Sequence, residues 1–173
     1  MLKRGLAITR TIHDRYAPKK RNPYNEIECS DHYARAMSSY GVFTAVCGFE
    51  YHGPKGHIAF SPKLSPDNFK AAFTSANGWG SFSQIRTPAE QKERIETLWG
   101  SLRVQSLAFD LPEGTVPGTI SAKHAGQTIK LDHSVKENRV TINFTKPVRI
   151  ESNQAIDVKI IFKSINQSQT SNN

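Results

Sequence analysis

Between Asn22 and Gly41 the chain reads Asn-Pro-Tyr-Asn-Glu-Ile-Glu-Cys-Ser-Asp-His-Tyr-Ala-Arg-Ala-Met-Ser-Ser-Tyr-Gly, an unusually polar stretch feeding an uncharged one. Glu26 and Arg35 lie nine residues apart, a gap that a loop and little more than one helical turn can close. A guanidinium near a helix N-terminus is disfavoured by the dipole by about a few tenths of a kcal/mol, so Arg35 needs an acceptor there. Two arrangements meet that need. One is a structural salt bridge to Glu26, Glu28 or Asp31. The other is a shared ligand, because a carboxylate beside a guanidinium suits vicinal hydroxyls: the carboxylate accepts from one hydroxyl and the planar fork donates to the next.

Other residues could join such chemistry. Tyr16, Tyr24, Tyr33 and Trp79 offer apolar faces for a sugar ring, with Trp79 set between Gly78 and Gly80 either as a sugar contact or as the anchor of a tight turn. His32 at the start of the expected helix reads as a hydrogen-bond partner rather than a base. Glu26 and Glu28 alternate along a loop, which places them poorly to flank opposite faces of a sugar. Cys29 and Cys47 stand in unrelated contexts without metal-ligand spacing and read as buried thiols, and no cofactor is implied.

The Asn22–Gly41 run, with His13-Asp14-Arg15-Tyr16 before it and Gly48-Phe49-Glu50-Tyr51 and Gly78-Trp79-Gly80 after it, resembles the C-terminal end of the catalytic region of glycosyl-hydrolase family 116, the non-lysosomal glucosylceramidase and β-glucosidase family. The resemblance covers residues 5 to 86, about half of the chain. It implies an (α/α)6 barrel, retaining hydrolysis of β-glucosides or glucosylceramide-like substrates, and contacts from Glu26 and Arg35 to hydroxyls of the sugar being cleaved. Ser30 stands where the family pattern has glycine. Retaining hydrolysis needs two carboxyl groups about 5 to 5.5 Å apart. In the family both lie earlier, so the resemblance implies that this chain carries no catalytic carboxylate and works with the remainder of the catalytic region. The rival reading is a non-catalytic carbohydrate-binding or accessory module.

The elements expected to position these residues follow from periodicity. Tyr33, Met37, Tyr40, Thr44 and Cys47 recur at helical spacing, and a second stripe holds Ala34, Ser38, Gly41 and Ala45, so residues 31 to 47 are predicted as one long helix buried on both faces. Ser30 is its expected cap and Gly48 its stop. The first thirty residues, with Pro18, Asn22, Pro23 and Asn25, are predicted as mostly loop. Short helical turns are expected at 66–73 and 89–95. Strands are expected at 57–60, 98–109, 119–123, 128–131, 140–145, 148–151 and 156–162, with hairpin turns at Ala125-Gly126 and Glu137-Asn138. The expected fold class is therefore α+β, a C-terminal fragment of an (α/α)6 barrel with one long buried helix, followed by a β-rich, sandwich-like lobe. The division is residues 1–92, 93–163 and a disordered Ser, Asn and Gln-rich tail at 164–173.

Composition bounds the remaining classes. The 173 residues carry 23 Lys and Arg against 15 Asp and Glu, a net +8. The contiguous Lys19, Lys20 and Arg21 read as a solvated loop, because no nucleic-acid-binding motif accompanies them. No run of 18 apolar residues exists, so no transmembrane segment is expected, and the chain reads as cytoplasmic.

Overall fold

The computed structural model describes residues 1–23, 25 and 37–163, and the chain divides into two compact units, Met1–Val46 and Cys47–Asn173. The first unit is helical where described. It holds helix α1 (Leu2–His13) and helix α2 (Met37–Cys47), with a 3₁₀ turn at Pro18–Lys20 among the described residues between them. The prediction that the first thirty residues are mostly loop is thus corrected for Leu2–His13. Pro18 and Pro23 both come after His13, so no proline interrupts helical propagation through Leu2–His13, and the single Gly5 is tolerated within it. Asp14 pairs with Arg10 at 2.8 Å one turn away and its carbonyl accepts from Lys20, while Asn22 accepts from the Ala17 amide and donates to the Arg15 carbonyl.

Among the described residues the second unit has ten strands: β1 (Glu50–His52), β2 (His57–Phe60), β3 (Asn68–Ser75), β4 (Gly78–Arg86), β5 (Glu90–Asp110), β6 (Pro117–His124), β7 (Gln127–Ile129), β8 (Leu131–Lys136), β9 (Arg139–Glu151) and β10 (Gln154–Phe162). Strand β5 belongs to two layers. Residues 91–100 pair with β4 on one side, and 90–97 pair with β10 on the other, which extends the order to β3-β4-β5-β10-β6-β7. Residues 101–110 pair antiparallel with β9, and 106–109 pair parallel with β2, which gives β8-β9-β5-β2-β1. The inner faces of both layers share one core, in which Phe60, Phe82 and Phe109 are stacked among Ile95, Leu107, Ile142, Ile156 and Ile160.

The expected fold class is overturned. Among the described residues the chain is mostly β, with a mixed sheet, and contains neither a long buried helix nor a fragment of an (α/α)6 barrel. The longest described helix is α1, with 12 residues. Helix α2 has no charge, yet Tyr40 is 64% exposed and Phe43 42% exposed. An apolar pattern states a demand for burial but cannot supply the covering surface. Two further expectations fail for one reason. Residues 66–73 and 89–95, read as helical turns, lie largely in β3 and β5, where cross-strand pairing overrides local propensity. The expected stop at Gly48 has φ +56°, and the turns at Ala125-Gly126 and Glu137-Asn138 hold φ of +48°, +77° and, for Glu137, +56°.

Candidate functional site

Glu26 and Arg35 lie outside the described residues, as do Tyr24, Glu28, Cys29, Ser30, Asp31, His32 and Tyr33. Tyr16 is half-buried. Of the aromatic candidates, Trp79 is the one the structure places informatively. It sits at the start of β4, 47% exposed, directly opposite Trp99 of β5, which is 64% exposed. Residues opposed in this way have Cα atoms about 4.5–5.5 Å apart.

Alternation accounts for the outward direction of both rings. In β4, Gly78, Gly80, Phe82 and Gln84 are buried, so Trp79, Ser81, Ser83 and Ile85 occupy the outer face. In β5, Thr97 and Ile95 face inward, and a bulge inserts Leu98 between the Thr97–Gly80 and Trp99–Trp79 pairs. The bulge leaves Leu98, itself 40% exposed, and Trp99 together at the solvent surface. Without this extra residue, alternation would turn Trp99 inward.

The platform is held rigidly. A methyl group at Gly80 would run into the Glu96 carbonyl oxygen, and Gly100, at φ +76°, packs against the Asn77 carbonyl. Ser101 N–H donates to Asn77 at 3.0 Å, Ser75 Oγ to the Gly78 carbonyl at 2.9 Å, and Ser152 Oγ to the Gly100 carbonyl at 3.1 Å. These bonds tie the β3–β4 and β9–β10 turns to the strands bearing the rings. Gly80→Ala is therefore expected to cost about 1–3 kcal/mol by overpacking. Chemical denaturation checks this, and a change below about 0.5 kcal/mol would contradict the tight fit.

Small polar groups border the rings: Thr74 stands in register with Trp79, and Ser81 pairs with Glu96 one position along. Farther down the same face the charges satisfy one another. Arg94 forks onto Asp157 at 2.8 and 2.9 Å, and Glu90 receives Lys92 and Lys159 at 2.7 Å each. The bonds from Lys159 and then Lys92 hold the Glu90 carboxyl below its ordinary range. The charged part of the face is thus a solvated ion-pair network in which Ile85 and Ile161 are exposed among the charges, and a separate exposed apolar cluster is formed by Trp79, Leu98 and Trp99. Such a surface can stack against the C–H face of a ring while the bordering hydroxyls and Glu96 exchange hydrogen bonds with its substituents.

Trp99 went unremarked in the sequence because it lies inside a long strand. The available signal was its Trp-Gly step, which repeats the Trp79-Gly80 step on the neighbouring strand. Among the described residues, no group of three or more His, Cys, Asp or Glu is disposed to hold a metal, and no helix is long and apolar enough to cross a membrane.

No family model matches the chain, and no curated protein sequence matches it. Among solved structures it is similar to the α-L-rhamnosidase from Dictyoglumus thermophilum, with 16% identity and a TM-score of 0.36, over 66% of this chain. The chain spans 12% of the length of that structure.

Proposed function

We propose that residues 47–163 form a carbohydrate-binding accessory module that holds a saccharide on the Trp79–Trp99 platform, within the C-terminal part of a β-glycoside hydrolase. The observation that carries the reading is the pair of exposed tryptophans fixed side by side by a bulge and two close-packed glycines. Isolated exposed apolar residues need no explanation, but a rigid aromatic pair with polar neighbours is a binding surface by its composition. The hydrolase context rests on the motif resemblance around Glu26 and Arg35, which bring sugar contacts while the nucleophile and acid/base come from elsewhere. On this reading the substrate is a β-glucoside or glucosylceramide-like glycoside.

The test uses the purified chain with soluble β-linked gluco-oligosaccharides. Binding quenches or shifts tryptophan emission, and Trp79→Ala or Trp99→Ala weakens it by about 1–3 kcal/mol, roughly fivefold to 150-fold, while changing stability by no more than about 0.5 kcal/mol. Unaltered binding in the double variant would overturn the platform. The chain is also expected to leave an aryl β-glucoside uncleaved, since positioning residues cannot replace a nucleophile and a general acid. Turnover abolished by changing Glu28 would contradict that assignment.

A further inference from the structure

A second polar site lies on the outer face of the other layer, where the turn between β1 and β2 meets β5. His52, His57 and Ser106 occupy one continuous row across three strands, since His52 is opposite His57 and His57 is opposite Ser106. Glu50 is on the same face of β1 two residues before His52. Lys55, on the 3₁₀ turn Gly53–Lys55, completes a depression of about 450 Å³.

The turn is built more tightly than a connection requires. A methyl at Gly53 would come 2.9 Å from the Tyr51 hydroxyl, and Gly56, at φ +63°, would place one 3.0 Å from the Gln105 amide. The Gly56 carbonyl accepts from both Gln105 and Ser106 N–H, at 2.7 and 3.1 Å. This clamps the turn onto β5 and fixes where Lys55 leaves the backbone.

The hydrogen bonds decide which ligand fits. His52 Nδ1 accepts from the Lys55 amide at 3.3 Å, so the neutral ring carries its proton on Nε2 and is a donor there. That arrangement opposes metal ligation through Nε2. His57 Nδ1 engages Ser106 Oγ at 2.8 Å, leaving its Nε2 available. The acids nearby already have cations: Glu50 receives Arg139 at 2.9 Å, and Asp110 receives Lys63 at 3.0 Å with Arg139 at 3.8 Å. Lys55 has no ion pair among the described residues. Donors therefore outnumber free acceptors.

We propose that this depression binds one compact oxyanion, a phosphate or carboxylate group, between the Lys55 ammonium and the imidazoles of His52 and His57. A bound anion would stabilise the charged form of the His57 imidazole, and would accept hydrogen bonds from the Lys55 ammonium, from His57 and from the Nε2–H of His52, which leaves the hydrogen bond from the Lys55 amide to His52 Nδ1 in place. The groups that set the proton balance are Glu50 and His52 on β1, Lys55 on the turn and Arg139 on β9. Burial, the larger influence, holds His57 below its ordinary range, with Glu50 acting upward and Arg139, His52 and Lys55 acting downward. Anion binding should therefore take up protons and strengthen as pH falls through the imidazole range.

The experiment follows the imidazole resonances of His52 and His57 by NMR in the full chain. Sulfate is the first probe, because its charge is constant between pH 5 and 8. Both rings should shift saturably, with affinity about tenfold higher at pH 6 than at pH 8. Lys55 is exposed, so Lys55→Met should leave the backbone spectrum intact and weaken binding about tenfold or more. Inorganic phosphate and glucuronate then separate the sources: tighter saturation by phosphate assigns a phosphate-bearing ligand, and by glucuronate a sugar acid. Absence of saturable shifts, pH-independent affinity, or unchanged binding in Lys55→Met would each overturn the proposal. The titration should be identical in Trp79→Ala and Trp99→Ala, which separates it from the saccharide platform.

Discussion

Phe82→Ala is expected to destabilise the β unit by about 3–5 kcal/mol, the usual range for truncating a fully buried aromatic residue. Phe82 is completely buried and its ring stacks on Phe60 with a centroid separation of 3.9 Å and an interplanar angle of 2°. Phe109 flanks it at 6.1 Å and Phe69 at 6.2 Å. Phe82 comes from β4, Phe60 from β2, and Phe109 from the part of β5 that pairs with β2. The ring thus joins the two layers through their shared core. Close-packed neighbours on both sides cannot collapse into the space a deletion leaves, so a cavity penalty adds to the lost transfer free energy. Urea denaturation followed by far-ultraviolet circular dichroism measures the loss. Phe82→Leu, which keeps most of the volume, should lose clearly less. A cost below about 1.5 kcal/mol for the alanine variant would mean that the layers are held together elsewhere.

The second large effect concerns Glu93, 2% exposed on the inner face of β5. Gln91 Nε2 donates to Glu93 Oε1 at 2.6 Å and to the Asp110 carbonyl at 3.2 Å, while Arg86 donates to Gln91 Oε1 at 2.7 Å and to the Asp110 carbonyl at 2.9 Å. Burial dominates and pushes the Glu93 carboxyl well above the ordinary range, against the Gln91 bond and the Arg86 charge, which act downward. The folded state therefore keeps a proton that the unfolded chain releases near pH 4.5. Stability is greatest below that value and falls as pH rises toward the folded-state pKa, by about 1.4 kcal/mol per pH unit for this one group. Glu93→Gln carries a neutral amide of nearly the same shape. It should remove that slope, matching the native chain in acid and exceeding it in stability at neutral pH. Denaturation midpoints across pH 4 to 8 decide the matter. Parallel pH profiles for the two proteins would show that Glu93 is ionised in the fold.

This buried polar group also explains why part of the fold was illegible. Residues 90–97, Glu-Gln-Lys-Glu-Arg-Ile-Glu-Thr, contain one strongly apolar side chain, so no hydrophobic alternation marks them as a strand. Their inward positions hold Gln91, Glu93, Ile95 and Thr97, all buried. Strand character comes instead from β4 on one side and β10 on the other. The same limit applies to Trp99, whose exposure depends on a bulge defined against β4.

What the sequence determined by itself was local. Gly48 as a helix stop and the turns at Ala125-Gly126 and Glu137-Asn138 are dictated by backbone conformations that few residues adopt readily. Val140, Ile142 and Phe144 alternate with polar neighbours, so the first half of β9 was readable locally, while its continuation through Pro147 to Glu151 was read as a separate strand. Glu26 and Arg35 drew attention by residue type and spacing. Tertiary structure alone decided that β5 serves two layers, that Trp79 meets Trp99, and that His52, His57 and Ser106 stand in one row. Each of these depends on register between segments 5 to 71 positions apart. Register is set by pairing and shared burial across strands, and that information is held by no single stretch of chain.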